Sequence, residues 1–522
     1  MIVTTLARQN GDSESDVKSP SVEAKTILVT PGQRVRVEWS AMGKEQVSQM
    51  GGLAYFGQFL KATGFFDQWV EDCPLTYESN NAPAKRDILG TTFLSVLNGH
   101  NRYAHMTALR GDELSAQLLD LIEIPSEDSV RRGLLKITKD HPDSSWMEKS
   151  FEVFDKGLLE EPWVMDLDVT VKQLYGHQEG AVAGYNPAKP GRPCHAYHCF
   201  WVARLRFCLG VKVRPGNENA SMYGLDHVLD WLKKHPEEQH PTLIRGDVGY
   251  GTETWMVALE AVFKRYLFKL RQTPKVKELI RYVEIQGQWE SSTQNWECCE
   301  ARLRLSGWTC ERRVVVYRRM HTRKSKTQEK ASLTDGKQEG CLALEIIEEA
   351  AFTCEYAIYV TNLDLPMTVI GDQYRQRGDN ENCYDELKNQ WGWAGFNVKD
   401  LARSELMANI VALIYNWWSV FVKFVDAEVA REAITSRPLL LNHVARANTH
   451  QSQKTIRLFC AHGMIESIKI KLEEAANRLS NWMSLTAEQL KSETIWARII
   501  AHILRNHQTI GMRATSPPLL SG

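Results

Sequence analysis

GDQYRQRGDNENCYDELKNQW, residues 371–391, is the stretch on which the reading of the whole chain turns. On a helix turning about 100° per residue, Tyr374, Arg377, Glu381 and Lys388 fall at roughly 0°, 300°, 340° and 320°. The four are therefore expected on one face, within an arc of about 60°. Mixed charge on a helix is usually a solvated face with an incidental ion pair. Here a phenol, a guanidinium fork, an ammonium and a carboxylate converge, which sets one acid among three groups suited to phosphate.

Two further acids stand in apolar runs. PWVMDLDVT (162–170) predicts a buried strand bounded by Pro162, and a carboxylate inside it needs a partner or a cation. Asp166 and Asp168 share parity and face the same way, so the residues alone leave the choice between them open. Asp247 ends the run TLIRGDVGYG (242–251), ahead of the helix-like TETWMVALEAVFKR. The carboxyl end of a strand is where open α/β sheets place their sites. Clustered carboxylates raise one another's pKa unless a cation joins them, and oxygen ligands favour Mg²⁺ or Mn²⁺ over zinc.

The spacing Y-(2)-R-(3)-E-(6)-K at 374–388 resembles the signature of bacterial insertion-sequence DDE transposases. Asp168-x-Thr170 resembles that family's first-aspartate motif, and Arg245-Gly-Asp247-x-Gly-Tyr250 its second. LYGHQEGAVAGYNPAKPGRP (174–193) is similar to the family's turn between the first two core strands. The resemblance implies an α/β fold: an RNase H-like catalytic core interrupted by a β-rich insertion, with helical N- and C-terminal regions. It favours Asp168 over Asp166, and implies that Asp168, Asp247 and Glu381 are the catalytic, metal-binding carboxylates. Tyr374, Arg377 and Lys388 become the DNA-binding residues. Two Mg²⁺ (or Mn²⁺) ions about 4 Å apart would serve each active site. The implied activity is cut-and-paste transposition, with hairpin formation on the flanking strand. The implied partners are double-stranded DNA, as terminal inverted repeats and target, and a second copy of the chain in a homodimer on DNA. Two alternatives stay open: a domesticated, non-catalytic DNA-binding protein, and a metal-dependent nuclease without strand transfer.

The 522 residues suggest two to four structural units, and 43% hydrophobic and 9% aromatic content are globular. The net charge of −1 gives no global footprint for a nucleic-acid partner. Locally, residues 301–330 hold ten Lys or Arg against two Glu, a balance of +8. Eleven cysteines show no paired framework, and the chain opens without an apolar leader, so a reduced, cytoplasmic protein is expected, associated with the nucleoid when bound to DNA. ANIVALIYNWWSVFVKFV (408–425), interrupted by Asn416 and Lys423, predicts a buried core helix rather than a membrane span. No phosphate-cradling Walker loop occurs, so no nucleotide cofactor is expected.

The organisation predicted is a disordered tail over 1–28, with ILVTPGQRVRVEWS (27–40) alternating like a strand pair. A mainly helical DNA-binding region follows over 29–150, then the first part of the core over 151–271. The β-rich insertion spans 272–365, the signature and closing helices 366–425, and a C-terminal helical region 426–522. The insertion was needed because 134 residues separate Asp247 from Glu381. Its strand-like segments include RYVEIQ, ARLRLSGW and ERRVVVYRR, and one of Trp289, Trp296 and Trp308 could stack on an unpaired base, although core packing is the commoner role. Cys194, His195, His198 and Cys199 fit no standard zinc spacing and are expected in the core. Gly378 inside the signature helix is a mild defect of about 1 kcal/mol relative to Ala.

Overall fold

The computed structural model describes residues 25–511, apart from 31–32, 38–45, 143–144, 158, 160–161, 187–188, 204, 219–222, 323–351, 428–430, 451–452 and 486–493. Most of the expected tail therefore lies outside the described residues. β1 (Lys25–Thr30) and β2 (Gln33–Val37) pair antiparallel, as the alternation in 27–40 predicts. After β3 (Gln46–Ser48) come, among the described residues, six α-helices: α1 (Leu53–Thr63), α2 (Phe65–Asp72), α3 (Lys85–Leu97), α4 (Glu113–Leu118), α5 (Glu127–Asp140) and α6 (Ser145–Asp155). Ser126 caps α5, its hydroxyl accepting from Ser129 N at 3.2 Å.

The central sheet is mixed. Its first strands are β4 (Val164–Gln173), the short β5 (Val182–Ala183), β6 (Pro193–Val202) and β7 (Phe207–Pro215). After α7 (Leu225–Lys234) come β8 (Leu243–Gly246), α8 (Glu253–Ala261) and β9 (Tyr266–Lys269). β6 runs antiparallel to both β4 and β7, whereas β8 runs parallel to β4 and to β9. β6 carries Cys194, His195, His198 and Cys199, all buried. His195 reaches the Glu179 carbonyl through Nε2 at 2.7 Å.

The segment between Asp247 and Glu381 is strand-rich, but its strands β10 (Glu290–Ser291), β11 (Glu297–Leu303), β12 (Arg312–Thr322) and β13 (Phe352–Thr361) extend the same sheet, because β13 pairs antiparallel with β9. One expectation is corrected here: RYVEIQ is not a strand but the end of α9 (Pro274–Gln286). Thr273 caps this helix, Pro274 opens it, and Val276, Ile280 and Val283 bury a stripe at helical spacing.

α10 (Met367–Arg375) and α11 (Gly378–Gln390) follow, then α12 (Leu401–Val425). α12 is long and apolar enough to cross a membrane, yet 89% of its most apolar window is buried inside the fold. Its aromatic face meets the N-terminal helices: Phe56 lies 5.0 Å from Phe421 and 5.1 Å from Trp418, ring centre to ring centre. The N-terminal helices thus share one core with the sheet. α12 also covers the free edge of β7. The Asn416 amide accepts from Cys208 N at 3.0 Å and donates to Cys208 O at 2.7 Å, and Asn409 does the same for Val211 at 3.0 and 2.8 Å. Glu405 accepts from Val213 N at 2.9 Å. Seven residues of helix and three of strand both advance about 10 Å, so the amides keep step with the ladder.

The region from 426, expected to be helical, has α13 (Ala433–Leu440), α14 (Ile465–Met483) and α15 (Ile495–Gly511), but also a hairpin, β14 (Val444–His450) and β15 (Gln453–Phe459). The hairpin pairs with β3 and, among the described residues, buries little beyond Ala445 and Ala447, too faint an alternation to stand out. Burial pushes the imidazoles of His198 and His227 down to about 4. Such groups stay neutral when folded and protonate when unfolded, so stability is lost as pH falls from about 6.5 towards 4. Urea midpoints should therefore fall between pH 7 and pH 5, and less steeply in His227→Gln.

Candidate active site

The parallel register of β4 and β8 sets Asp166 beside Arg245 and Leu167 beside Gly246. One step further brings Asp168 next to Asp247, just past the end of β8, and alternation puts 166, 168, 245 and 247 on one face. A tight turn fixes Asp247: its carboxylate accepts from Gly249 N at 2.9 Å, and its carbonyl accepts from Tyr250 N at 3.1 Å. Gly246 is obligatory, since a Cβ there would lie 2.6 Å from the Tyr250 ring.

Asp166 and Asp168 have different surroundings. Asp166 is fully buried in a bidentate pair with Arg245, Nε to Oδ1 at 2.6 Å and Nη2 to Oδ2 at 2.8 Å. Asp168 is partly open and meets Arg377, whose Nη2 lies 2.9 Å from Oδ2 and donates to the Leu167 carbonyl at 3.2 Å. Burial pushes the Asp168 carboxyl up to about 6; Arg377 opposes that, and the charge of Asp247 adds to it.

The signature is not one helix. α10 ends at Arg375 and α11 begins at Gly378, with Arg377 N turning to the Tyr374 carbonyl at 3.0 Å. Gly378 thus opens the second helix instead of interrupting one, and its Cα faces open space. Despite the break, Tyr374, Arg377 and Lys388 gather within electrostatic reach of Asp168. Burial pushes the Tyr374 hydroxyl up to about 12, so it stays protonated, and its ring packs 4.5 Å from that of Tyr359. Burial lowers the Lys388 pKa, partly opposed by Cys199 and Asp168. Glu381 lies in the first turns of α11, and its side chain is outside the described residues. Among the described residues, no three His, Cys, Asp or Glu side chains form a metal-holding group.

The insertion holds α10 in place. Tyr317 of β12 donates to the Met367 carbonyl and accepts from Gly371 N at 2.6 Å, and its ring would lie 2.6 Å from any Cβ at 371. The basic strands are largely neutralised: Arg312 pairs with Glu253 and Glu260, Arg313 with Glu300, Arg318 with Glu284 and Glu297, and Arg319 with Glu355. Of the ten basic residues in 301–330, Arg312, Arg313, Arg318 and Arg319 are thus answered by acids from outside that stretch. Trp289 carries Arg318 over its ring at 3.9 Å, Trp296 carries Arg319 at 4.7 Å, and Trp308 carries Arg312 at 5.4 Å. Arg245 and Tyr317 were not picked out as site residues. An arginine inside an apolar run near a second run holding a spare aspartate was the available signal.

Residues 29–481 match the family described as transposase DDE domain group 1. The chain belongs to this transposase family. The match takes in both aspartates, the whole signature and the strands between them. No curated protein matches the chain. Among solved structures, the transposase is similar to piggyBac transposase in a synaptic complex with hairpin DNA, at 10% identity over 87% of this chain and 85% of that one, with a TM-score of 0.36.

Proposed function

We propose that this transposase binds the ends of its element, hydrolyses a phosphodiester at each end and joins the freed 3′-hydroxyl to target DNA. The observation that carries the reading is the juxtaposition of Asp168 with Asp247, with Arg377 on the first of them. The strand order β7-β6-β4-β8-β9, with its antiparallel first half and parallel second half, supports an RNase H-like core. In this reading 29–150 engages DNA together with the insertion, and a homodimer holds the two ends.

The donors fit a hard divalent cation: two coupled carboxylates, one of them driven towards protonation by burial and answered by Arg377 and the Val169 N–H. We assign Asp168, Asp247 and, by its spacing, Glu381 as the residues that would hold Mg²⁺ or Mn²⁺. Bound there, such ions would polarise the scissile phosphate and activate water or the 3′-hydroxyl. Arg377 and Lys388 then hold phosphate oxygens, and the protonated Tyr374 donates a hydrogen bond at the strained end.

A duplex carrying the inverted repeats flanking the gene should be cut in Mg²⁺ or Mn²⁺ and remain intact in zinc alone. Robust cutting in excess EDTA would refute the metal-dependent reading. Joining of labelled ends to a plasmid separates the transposase from a nuclease, and end binding without cutting identifies the non-catalytic alternative. Arg377→Ala and Lys388→Ala should each reduce the salt slope of end binding by about one. If both only lower the melting temperature, the two side chains are structural. Tyr374→Phe should impair end processing with no loss of melting temperature.

A further inference from the structure

We infer that Arg245, anchored by Asp166, is a positioning residue that sets the α10–α11 junction over Asp168 and Asp247. The inference rests on the catalytic role proposed above for those two carboxylates. Arg245 is 1% exposed and uses its guanidinium fork in two directions. Nε and Nη2 hold both oxygens of Asp166, and Nη1 donates to the main-chain carbonyl of Gln373. That carbonyl is the one the helix break sets free. In an unbroken helix it would accept from Arg377 N, which instead turns to Tyr374. Arg245 thus takes the place of the missing helical bond.

Asp166 fixes the fork on the floor of the sheet, and the fork fixes the residue just before Tyr374. Four residues on from Gln373, Arg377 reaches back to the Leu167 carbonyl and to Asp168, on the same strand as Asp166. The junction is therefore tied to β4 and β8 by two arginines, one rising from the sheet and one descending from the helices. A planar fork with separated donors makes this bridge, and a lysine, as a point charge, does not. Asp166 has the geometry of an anchor and Asp168 that of an open ligand, although both face the same way.

The test uses the full chain, with Arg245→Lys and the double variant Asp166→Leu/Arg245→Met. The double variant removes the buried charges together, so neither is orphaned and folding is retained. Two readouts are taken: amide hydrogen exchange, and cleavage against binding of the flanking-repeat duplex. Positioning predicts lost protection confined to 374–382, with protection in β4 and β8 kept. End binding should stay within about twofold while the cleavage rate falls about 100-fold, the scale of a 1 Å misplacement. Wild-type protection at 374–382 in the folded variants would overturn the inference, as would a normal cleavage rate. Wild-type protein that binds but never cuts would instead defeat the proposed function, and exchange at 374–382 would still decide whether the clamp exists.

Discussion

Asp168→Asn, Asp247→Asn and Glu381→Gln are each expected to reduce DNA cleavage by a factor of about a thousand or more, with little change in end binding. Each keeps the size of the side chain and removes the charge that would hold a cation. A thousandfold loss corresponds to about 4 kcal/mol of barrier. Asp168 is the sharpest case, because it lies beside Asp247 and is partly open, meeting Arg377 and the Val169 N–H, whereas Asp166 is fully buried with both oxygens occupied by Arg245. Gel-based cleavage of the flanking-repeat duplex at saturating Mn²⁺ reads the loss, and a shift assay reads binding. If Asp166→Asn eliminated cutting and Asp168→Asn left it intact, the first ligand would be Asp166.

The second large effect is on stability. Asn416→Ala would strip both hydrogen bonds from Cys208 on the outer side of β7, inside the fold. A buried backbone group left without a partner costs about 1–3 kcal/mol, so the pair should cost about 4 kcal/mol. Asn416→Asp keeps an acceptor for the Cys208 N–H but sets a fully buried carboxyl group against the Cys208 carbonyl, and should cost at least as much. Urea unfolding measures both, and a loss below about 1 kcal/mol for Asn416→Ala would show that water or a shifted helix satisfies the strand. Cleavage by the folded fraction should be unchanged, since α12 touches β7 on the side away from β4.

These two cases mark what the sequence could and could not disclose. Asp168, Asp247 and the signature were legible because each stands in a short local pattern: an acid in an apolar run, an acid at a strand end, four spaced polar groups. The break at residues 376–377 was not, because the carbonyl it frees is held by Arg245, and α10 before it by Tyr317, 57 residues before Tyr374. The pairing of the β12 arginines was hidden for the same reason: Arg312 finds Glu253 and Glu260 only after the sheet has formed. Asn416 was read as an interruption of an apolar helix, when it is the group that lets that helix substitute for a neighbouring strand.

The inserted strands continue the sheet that carries the aspartates, in one unbroken ladder of the described strands. From β4 outward the order is β8, β9, β13, β12, β11 and β10, six steps of about 4.8 Å. Asp168 on β4 and the outermost strand therefore stand about 29 Å apart, and Asp247, just past β8, stands about 24 Å from it, and the sheet holds those intervals as a ruler would. With the proposed cleavage at Asp168, DNA lying along the sheet, with bases about 3.4 Å apart, would meet the far edge about eight base pairs from the bond cut.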